Sequence, residues 1–338
     1  MRCSRLPPVL ALLRSCGDAP DNKVAESRHG DAAQAQAAFA RARHVVELDI
    51  TNQRVVALSI EPRSVQAHID QGRLVVRMSS QMPTGIRTQI CDLLGLKESQ
   101  VRVLVGDVGG GFGMKTGAYP EDILVAYCAH RLQRPVKWIA ERAEEFLSSS
   151  HGRDIQCHGA LALDEHGKIL ALRIHTLANV GAYPGMTGVT IQIMIGPWVQ
   201  TSVYDMGCID FHYAAVMTHT APTGAYRGAG RPEASYCIER IIDIAAGELH
   251  IDRIELRRRN LIGSHEFPYL IPSGTHYDSG DYATVLNKAQ ACAAWDELLR
   301  ERDRLRAQGI HAGVGISTCL EPSGGNSSFE PLFNPKNE

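Results

Sequence analysis

The chain has 338 residues, with 35 basic and 37 acidic side chains and a net charge of -2 at pH 7; it is long enough for two domains, or one large domain and part of another, and carries no electrostatic footprint for nucleic acid or an anionic membrane. Nine cysteines are widely spaced and never fall as C-x-x-C, which argues against zinc ribbons and Cys-ligated iron–sulfur clusters within the chain and for reduced core thiols in a cytoplasmic setting. No apolar run reaches membrane-spanning length, and residues 6–13, a short stretch with two prolines and no small-residue cleavage site, do not read as a signal peptide.

Residues 1–40 show no sustained amphipathic period and read as a linker or ragged start. From Ala37 the texture changes. Residues 44–50, 55–60 and 72–78 alternate like half-buried strands, and Pro83 opens a helix that runs to Leu94 and stops at Gly95. An apolar strand over 101–105 then delivers Gly106-Asp107-Val108-Gly109-Gly110-Gly111-Phe112-Gly113-Met114-Lys115-Thr116. Without Cβ atoms such a loop takes positive φ, and its N–H groups can converge on an oxyanion, a phosphate or a metal-oxo group. It is neither a Walker loop, because Met114 stands where glycine must precede Lys-Thr, nor G-x-G-x-x-G. A tight turn without a ligand remains open at this point.

Beyond the loop, Tyr119-Pro120-Glu121-Asp122 opens a helix that Pro135 follows, 136–139 is a short strand, and 155–163 with 169–177 make a hairpin around residues 164–167. Residues 204–217 read as extended, 233–249 as a buried helix, 252–260 as a shorter helix rich in arginine, 282–308 as one long helical period, and 314–319 as the start of a strand. These elements make a mixed α/β (α+β) body. A second glycine-rich turn, residues 223–232, sets Arg227 and Arg231 between glycines just before a helix whose first turn carries Glu233. That arrangement suits an anionic group, and equally a surface turn with solvated arginines.

Together the two turns carry more than either alone. Ser80-Gln81, G-D-V-G-G-G-F-G-M-K at 106–115, R-P-V-K-W at 134–138, E-R-x-E-x-F at 141–146, H-G-R at 151–153, N-V-G-A-Y at 179–183 and A-Y-R-G-A-G-R at 225–231 occur in one order. This series resembles the molybdenum-binding subunit of the xanthine dehydrogenase, aldehyde oxidase and carbon monoxide dehydrogenase family, from about residue 37 to 262 and less specifically to 319. The resemblance implies a molybdopterin-binding domain that is incomplete, with a first such domain at 41–265 and the start of a second at 266–338. It implies oxidation of an aldehyde or N-heterocycle with oxygen from water, and a cofactor of the molybdenum–molybdopterin cytosine dinucleotide type. Partner subunits carrying iron–sulfur clusters and FAD are implied too, with no nucleic-acid or membrane partner.

By position, Gln81 resembles the glutamine whose amide donates to a molybdenum oxo group. Gly111, Phe112 and Gly113 match the loop packed at the metal, and Arg227, Gly228 and Ala229 the loop beside the active site. Departures narrow the substrate. Gly228 stands where carbon monoxide dehydrogenases carry a copper-binding cysteine, Ala229 where xanthine enzymes carry a stacking phenylalanine, and Asp210 where an ungapped count puts a purine-anchoring arginine. Met114-Lys115-Thr116 also replaces a glutamate of the purine enzymes. The resemblance therefore points to the aldehyde- or heterocycle-oxidising branch. The family's late general-base glutamate has no counterpart after Cys319, and Glu321 does not match it by order. The chain thus reads as a fragment, either part of a split enzyme or a non-catalytic remnant or binding module of that family.

Overall fold

The structure, a computed structural model, describes residues 19–321; the readings made for residues 6–13 and for the polar stretch 322–328 lie outside it. The linker expected over 1–40 is, where described, largely regular structure. Lys23–Gly30 forms β1 and Ala32–Arg41 forms α1, whose cap Asp31 accepts from the N–H groups of Ala33 and Gln34 at 2.9 Å. The alanines are there because α1 lies close on a small-residue patch: Ala35 and Ala38 pack against Ala162, Ala171 and Cys208.

β2 (His44–Asn52) matches expectation, whereas β3 spans only Val55–Val56. Residues 57–63 leave the sheet and carry Glu61 and Arg63 to partners elsewhere. β4 (Ser64–Asp70) is an addition to the elements expected from sequence, and it forms a hairpin with β5 (Arg73–Met78). α2 (Pro83–Leu94) has proline in its first turn and ends at Gly95 with φ 67°. β6 (Val101–Leu104), α3 (Pro120–Leu132), β7 (Val136–Ile139), α4 (Arg142–Ser148) and β8 (His151–Gly152) follow.

β9 (Ile155–Leu163) and β10 (Ile169–Gly181) form the expected hairpin, its turn held by the Asp164 carboxylate, which accepts from the His166 and Lys168 N–H groups at 2.8 Å. α5 (Met186–Thr190), a π-turn and α6 (Gly196–Val199) precede β11 (Ile209–Met217), so extended structure begins at Ile209, not Tyr204. Next come α7 (Arg231–Glu248), α8 (Arg253–Arg259), the short pair β12 (Tyr269–Leu270) and β13 (His276–Tyr277), α9 (Tyr282–Cys292) and α10 (Trp295–Ala307). Ala294, at φ 46°, splits the single helical period expected over 282–308.

Residues 314–319, expected as a strand, pair with no strand among the described residues. Their carbonyls go to side chains instead: Val314 to Arg253, Ile316 to Arg257 and Thr318 to Ser202.

Two lobes result. The larger is a five-stranded sheet in the order β1-β11-β10-β9-β2, antiparallel except for the parallel β10–β11 pair. α7 covers one face, where Leu161, Leu163, Ile174 and Phe211 meet Ile238, Ile241 and Ala245; each buried Leu, Ile or Phe of this set contributes roughly 1.5–3 kcal/mol. The smaller lobe is a four-stranded sheet, β6-β5-β4-β7, roofed by α2 and α3 through Val76, Ile86, Ile90 and Ala126. Each glycine loop leaves a different lobe: the first follows β6, the second precedes α7.

Candidate functional site

The first loop is anchored from below by a buried lysine. Lys115 is 2% exposed, and its ammonium donates to the Glu61 carbonyl at 2.8 Å, to Ser79 Oγ at 2.8 Å and to Glu61 Oε2 at 3.1 Å. Glu61 Oε2 accepts in addition from Ser79 Oγ at 2.6 Å and from the Gly109 N–H at 2.8 Å. Burial works against the Glu61 carboxylate, but the hydrogen bonds from Ser79, Gly109 and Lys115 outweigh it and hold its carboxyl below the usual carboxylate range. The pair therefore binds β5, the 57–63 connection and both ends of the loop. Tyr119 adds a second prop, donating to the Met114 carbonyl at 2.8 Å beneath the Arg63 guanidinium, 3.8 Å from its ring.

Above the anchor lies Gln81. Its backbone N–H donates to the Lys115 carbonyl at 2.9 Å, and its side-chain Oε1 accepts from the Gly113 and Lys115 N–H groups at 2.9 and 3.3 Å. Two backbone donors can only face an oxygen, so the Nε2 amino group points away from the loop into the open. Gly111 sits directly under this amide: a Cβ there would lie 2.4 Å from Gln81 Oε1. Phe112 takes φ 52° and Gly113 φ 101°, turning the chain so that the N–H groups of Gly110, Gly111 and Phe112 donate to no described residue.

The second loop closes on the first. The Arg227 N–H donates to the Phe112 carbonyl at 2.8 Å, and a Cβ on Gly113 would meet the Ala225 carbonyl at 2.5 Å. Arg153 holds this loop from behind: its guanidinium donates to the Tyr226 carbonyl at 3.0 Å, the Arg227 carbonyl at 2.8 Å and Glu233 Oε1 at 3.0 Å, and it lies over the Tyr226 ring. Burial pushes the Glu233 carboxyl up, against the pull of Arg153 and of the Gly230 N–H that it accepts at 2.9 Å. Gly228 (φ 92°), Ala229 (φ 41°) and Gly230 (φ 90°) make the turn into α7. The Arg227 side chain is exposed and makes no hydrogen bond or ion pair with a described residue.

Gln81, residues 111–113 and Arg227–Ala229 thus form one continuous surface between the lobes. Asp210 is not part of it. It pairs with Arg173 at 2.9 Å beside α1, across from Gly30, well along β10–β11 from the Asn179–Val216 end near the loops. The inference drawn from Asp210 about purine substrates therefore has no support in this fold, because Asp210 stands at the start of β11, paired to Arg173 and away from the two loops. Glu321 pairs with Arg231 at 2.7 Å, outside the surface. Glu61 and Arg153 are the residues whose roles the sequence does not reveal, although Lys115 and the H-G-R motif mark both places.

A family model described as the molybdopterin cofactor-binding domain matches residues 16–261. The chain belongs to this family. It is 34% identical to the 6-hydroxypseudooxynicotine dehydrogenase complex subunit gamma of Paenarthrobacter nicotinovorans, covering 85% of this chain and 37% of that protein. It is 35% identical to the carbon monoxide dehydrogenase large chain of Hydrogenophaga pseudoflava, covering 88% and 38%. Among solved structures, quinoline 2-oxidoreductase from Pseudomonas putida 86 superposes with TM-score 0.80 at 30% identity, over 85% of this chain and 37% of that one. The chain therefore spans little more than a third of the length of these relatives.

The surface fits a cofactor of this kind. It presents an outward amide N–H₂, and backbone N–H groups and a guanidinium that have no partner among the described residues, donors suited to the oxygens of an anionic, oxygen-bearing group. Gly111 and Gly113 have no space for a side chain. Gly228 is equally confined, since a Cβ there would lie 2.4 Å from Pro232 Cγ.

Proposed function

We propose that this chain contributes the oxo-facing part of a molybdopterin site in an oxidoreductase that hydroxylates an aldehyde or an N-heterocycle. The observation that carries the reading is Gln81, whose carbonyl oxygen is consumed by the Gly113 and Lys115 N–H groups so that only its N–H₂ faces outward. When bound, the cofactor supplies the redox centre and the activation of water-derived oxygen. This chain's residues bind and orient. Gln81 donates to a cofactor oxygen without competing for the metal, the amides of 110–112 neutralise nearby negative charge, and Arg227 holds an anionic oxygen of cofactor or substrate by its planar fork.

The cofactor is proposed to be the cytosine dinucleotide form, on the resemblance of the two loops and their spacing. Nicotine-derived and quinoline substrates in the relatives' names favour an N-heterocycle, and the small side chains at Gly228 and Ala229 leave the wall by Arg227 open. With Gly228 in a position that admits no side chain, no thiolate for copper stands there. The second domain is proposed to start at 266, after a first domain proposed from 41 to 265 that also takes in β1 and α1, and iron–sulfur and FAD subunits are proposed to take the electrons.

Molybdenum content tests the reading. The isolated chain is expected to hold no stoichiometric molybdenum, and to acquire it when co-expressed with the remaining two-thirds of a relative's large subunit. Gln81→Ala and Arg227→Ala are expected to lower that content. An assembled complex that keeps full molybdenum in the double variant contradicts the proposal.

A further inference from the structure

Behind the second loop two thiols meet in a small, partly enclosed space. Cys157 on β9 and Cys237 on α7, separated by 80 positions in the chain, bring their sulfur atoms to 3.1 Å, and both are free and buried. With Thr176, Tyr213, Gly230 and Glu233 they line a cavity of about 30 Å³, room for roughly one water-sized molecule. The other described cysteines have no such neighbour; Cys208, for example, turns its sulfur to the Leu170 carbonyl at 3.5 Å.

We propose that Cys157 and Cys237 are a peroxide-sensitive pair that closes to a disulfide, tying β9 to α7 about two turns beyond Gly230 and one turn beyond Glu233. The reaction balances with one hydrogen peroxide. One sulfur attacks a peroxide oxygen and breaks the O–O bond, giving a sulfenic acid and one water; the second sulfur attacks the first, forms the S–S bond and expels the second water. Two electrons pass from the thiols to the peroxide, and both thiol protons leave in water. The sulfur–sulfur hydrogen bond holds the Cys157 thiol below its ordinary value although burial opposes it, and at 3.1 Å either sulfur can make the first attack and the other resolve it. A cavity this small excludes a bulky disulfide such as oxidised glutathione and leaves only the smallest oxidants, hydrogen peroxide among them. The device is independent of what the loops bind: it fixes the helix from which the second loop starts, whichever anion that loop serves.

The test is mass spectrometry of the full chain, purified under reducing conditions. It is exposed to hydrogen peroxide, quenched with catalase, then alkylated in denaturant and digested. The expected product is a linked peptide pair containing Cys157 and Cys237, lighter by two hydrogens, with both sites unalkylated and both restored by dithiothreitol. In Cys237→Ser the linkage is lost and Cys157 is trapped as its sulfenic acid by a cyclic 1,3-diketone. The exposed Cys292 and Cys319 report that the oxidant acted. Full alkylation of Cys157 and Cys237 under conditions that have oxidised Cys292 or Cys319, or linkage of either cysteine to a different partner, overturns the proposal. The wild-type measurement stands even where the serine variant does not fold.

Discussion

The backbone N–H of Arg227 donates to the carbonyl of Phe112 at 2.8 Å, joining a loop that leaves one sheet to a loop that enters a helix on another. Because Gly113 packs on Ala225 at the same place, the two lobes touch through main chain, and that contact sets the two loops proposed to face the cofactor against each other.

Gly113→Ala tests the contact. It forces a side chain into the φ 101° region and to within 2.5 Å of the Ala225 carbonyl, so it is expected to cost at least about 2 kcal/mol. Gly117→Ala, where φ is −132° and nothing lies within 4 Å, is expected to stay within about 0.5 kcal/mol of wild type. Urea unfolding compares them, and equal losses count against the packed junction.

The two arginines of the second loop are predicted to separate binding from folding. Arg227→Ala removes an exposed side chain without a described partner and should change stability by less than about 0.5 kcal/mol. Arg153→Ala strips the Tyr226 and Arg227 carbonyls and Glu233 of their donor and should cost about 2–4 kcal/mol. Thermal melts of both variants decide the point.

Lys115→Met leaves Glu61 without its cation while keeping the buried stem. A loss of about 1–3 kcal/mol at pH 7 is expected, discounted because Glu61 is partly exposed. The sign with pH follows from a depressed carboxyl: the stabilisation is present above the usual carboxylate range and disappears as pH falls through the lower folded value. The difference between variant and wild type should therefore shrink in acid; a difference that does not narrow toward low pH contradicts the clamp.

Asp122 has the opposite sign. Burial lifts its carboxyl from 3.8 to about 6, despite the Tyr119 N–H that it accepts at 2.9 Å. The native state then binds the proton more tightly than the unfolded chain, so stability declines as pH rises from about 4 to 6 and stays lower above, by no more than about 3 kcal/mol. Asp122→Asn keeps an acceptor for the Tyr119 N–H and abolishes the charge. Its melting temperature relative to wild type should rise across that window, and a constant offset would refute the assignment.

What the sequence reveals here is what periodicity and glycine carry. The helix at Pro83–Leu94, the hairpin over 155–177, which in the fold runs on to Gly181, and both glycine loops are written in local pattern, and the ordered motifs point to the family before any coordinate. Long-range pairing is not written locally. Alanine-rich residues 32–41 read as linker because the small-residue patch that receives them lies on strands more than 100 residues later. Residues 314–319 read as strand because their apolar alternation is real, yet Arg253, Arg257 and Ser202 take the carbonyls a neighbouring strand would use. Glu61 carries no signal of its own: only the fold shows that a buried Lys115 needs it.

The most direct test of the shared surface is amide hydrogen exchange on the complex assembled with the complementary segment, compared with and without molybdopterin cofactor. Residues 109–114 and 225–230 are predicted to slow together when the cofactor is present, with the effect on both weakened in Gln81→Ala. Cofactor retained at full stoichiometry with exchange unchanged in both segments would contradict the account.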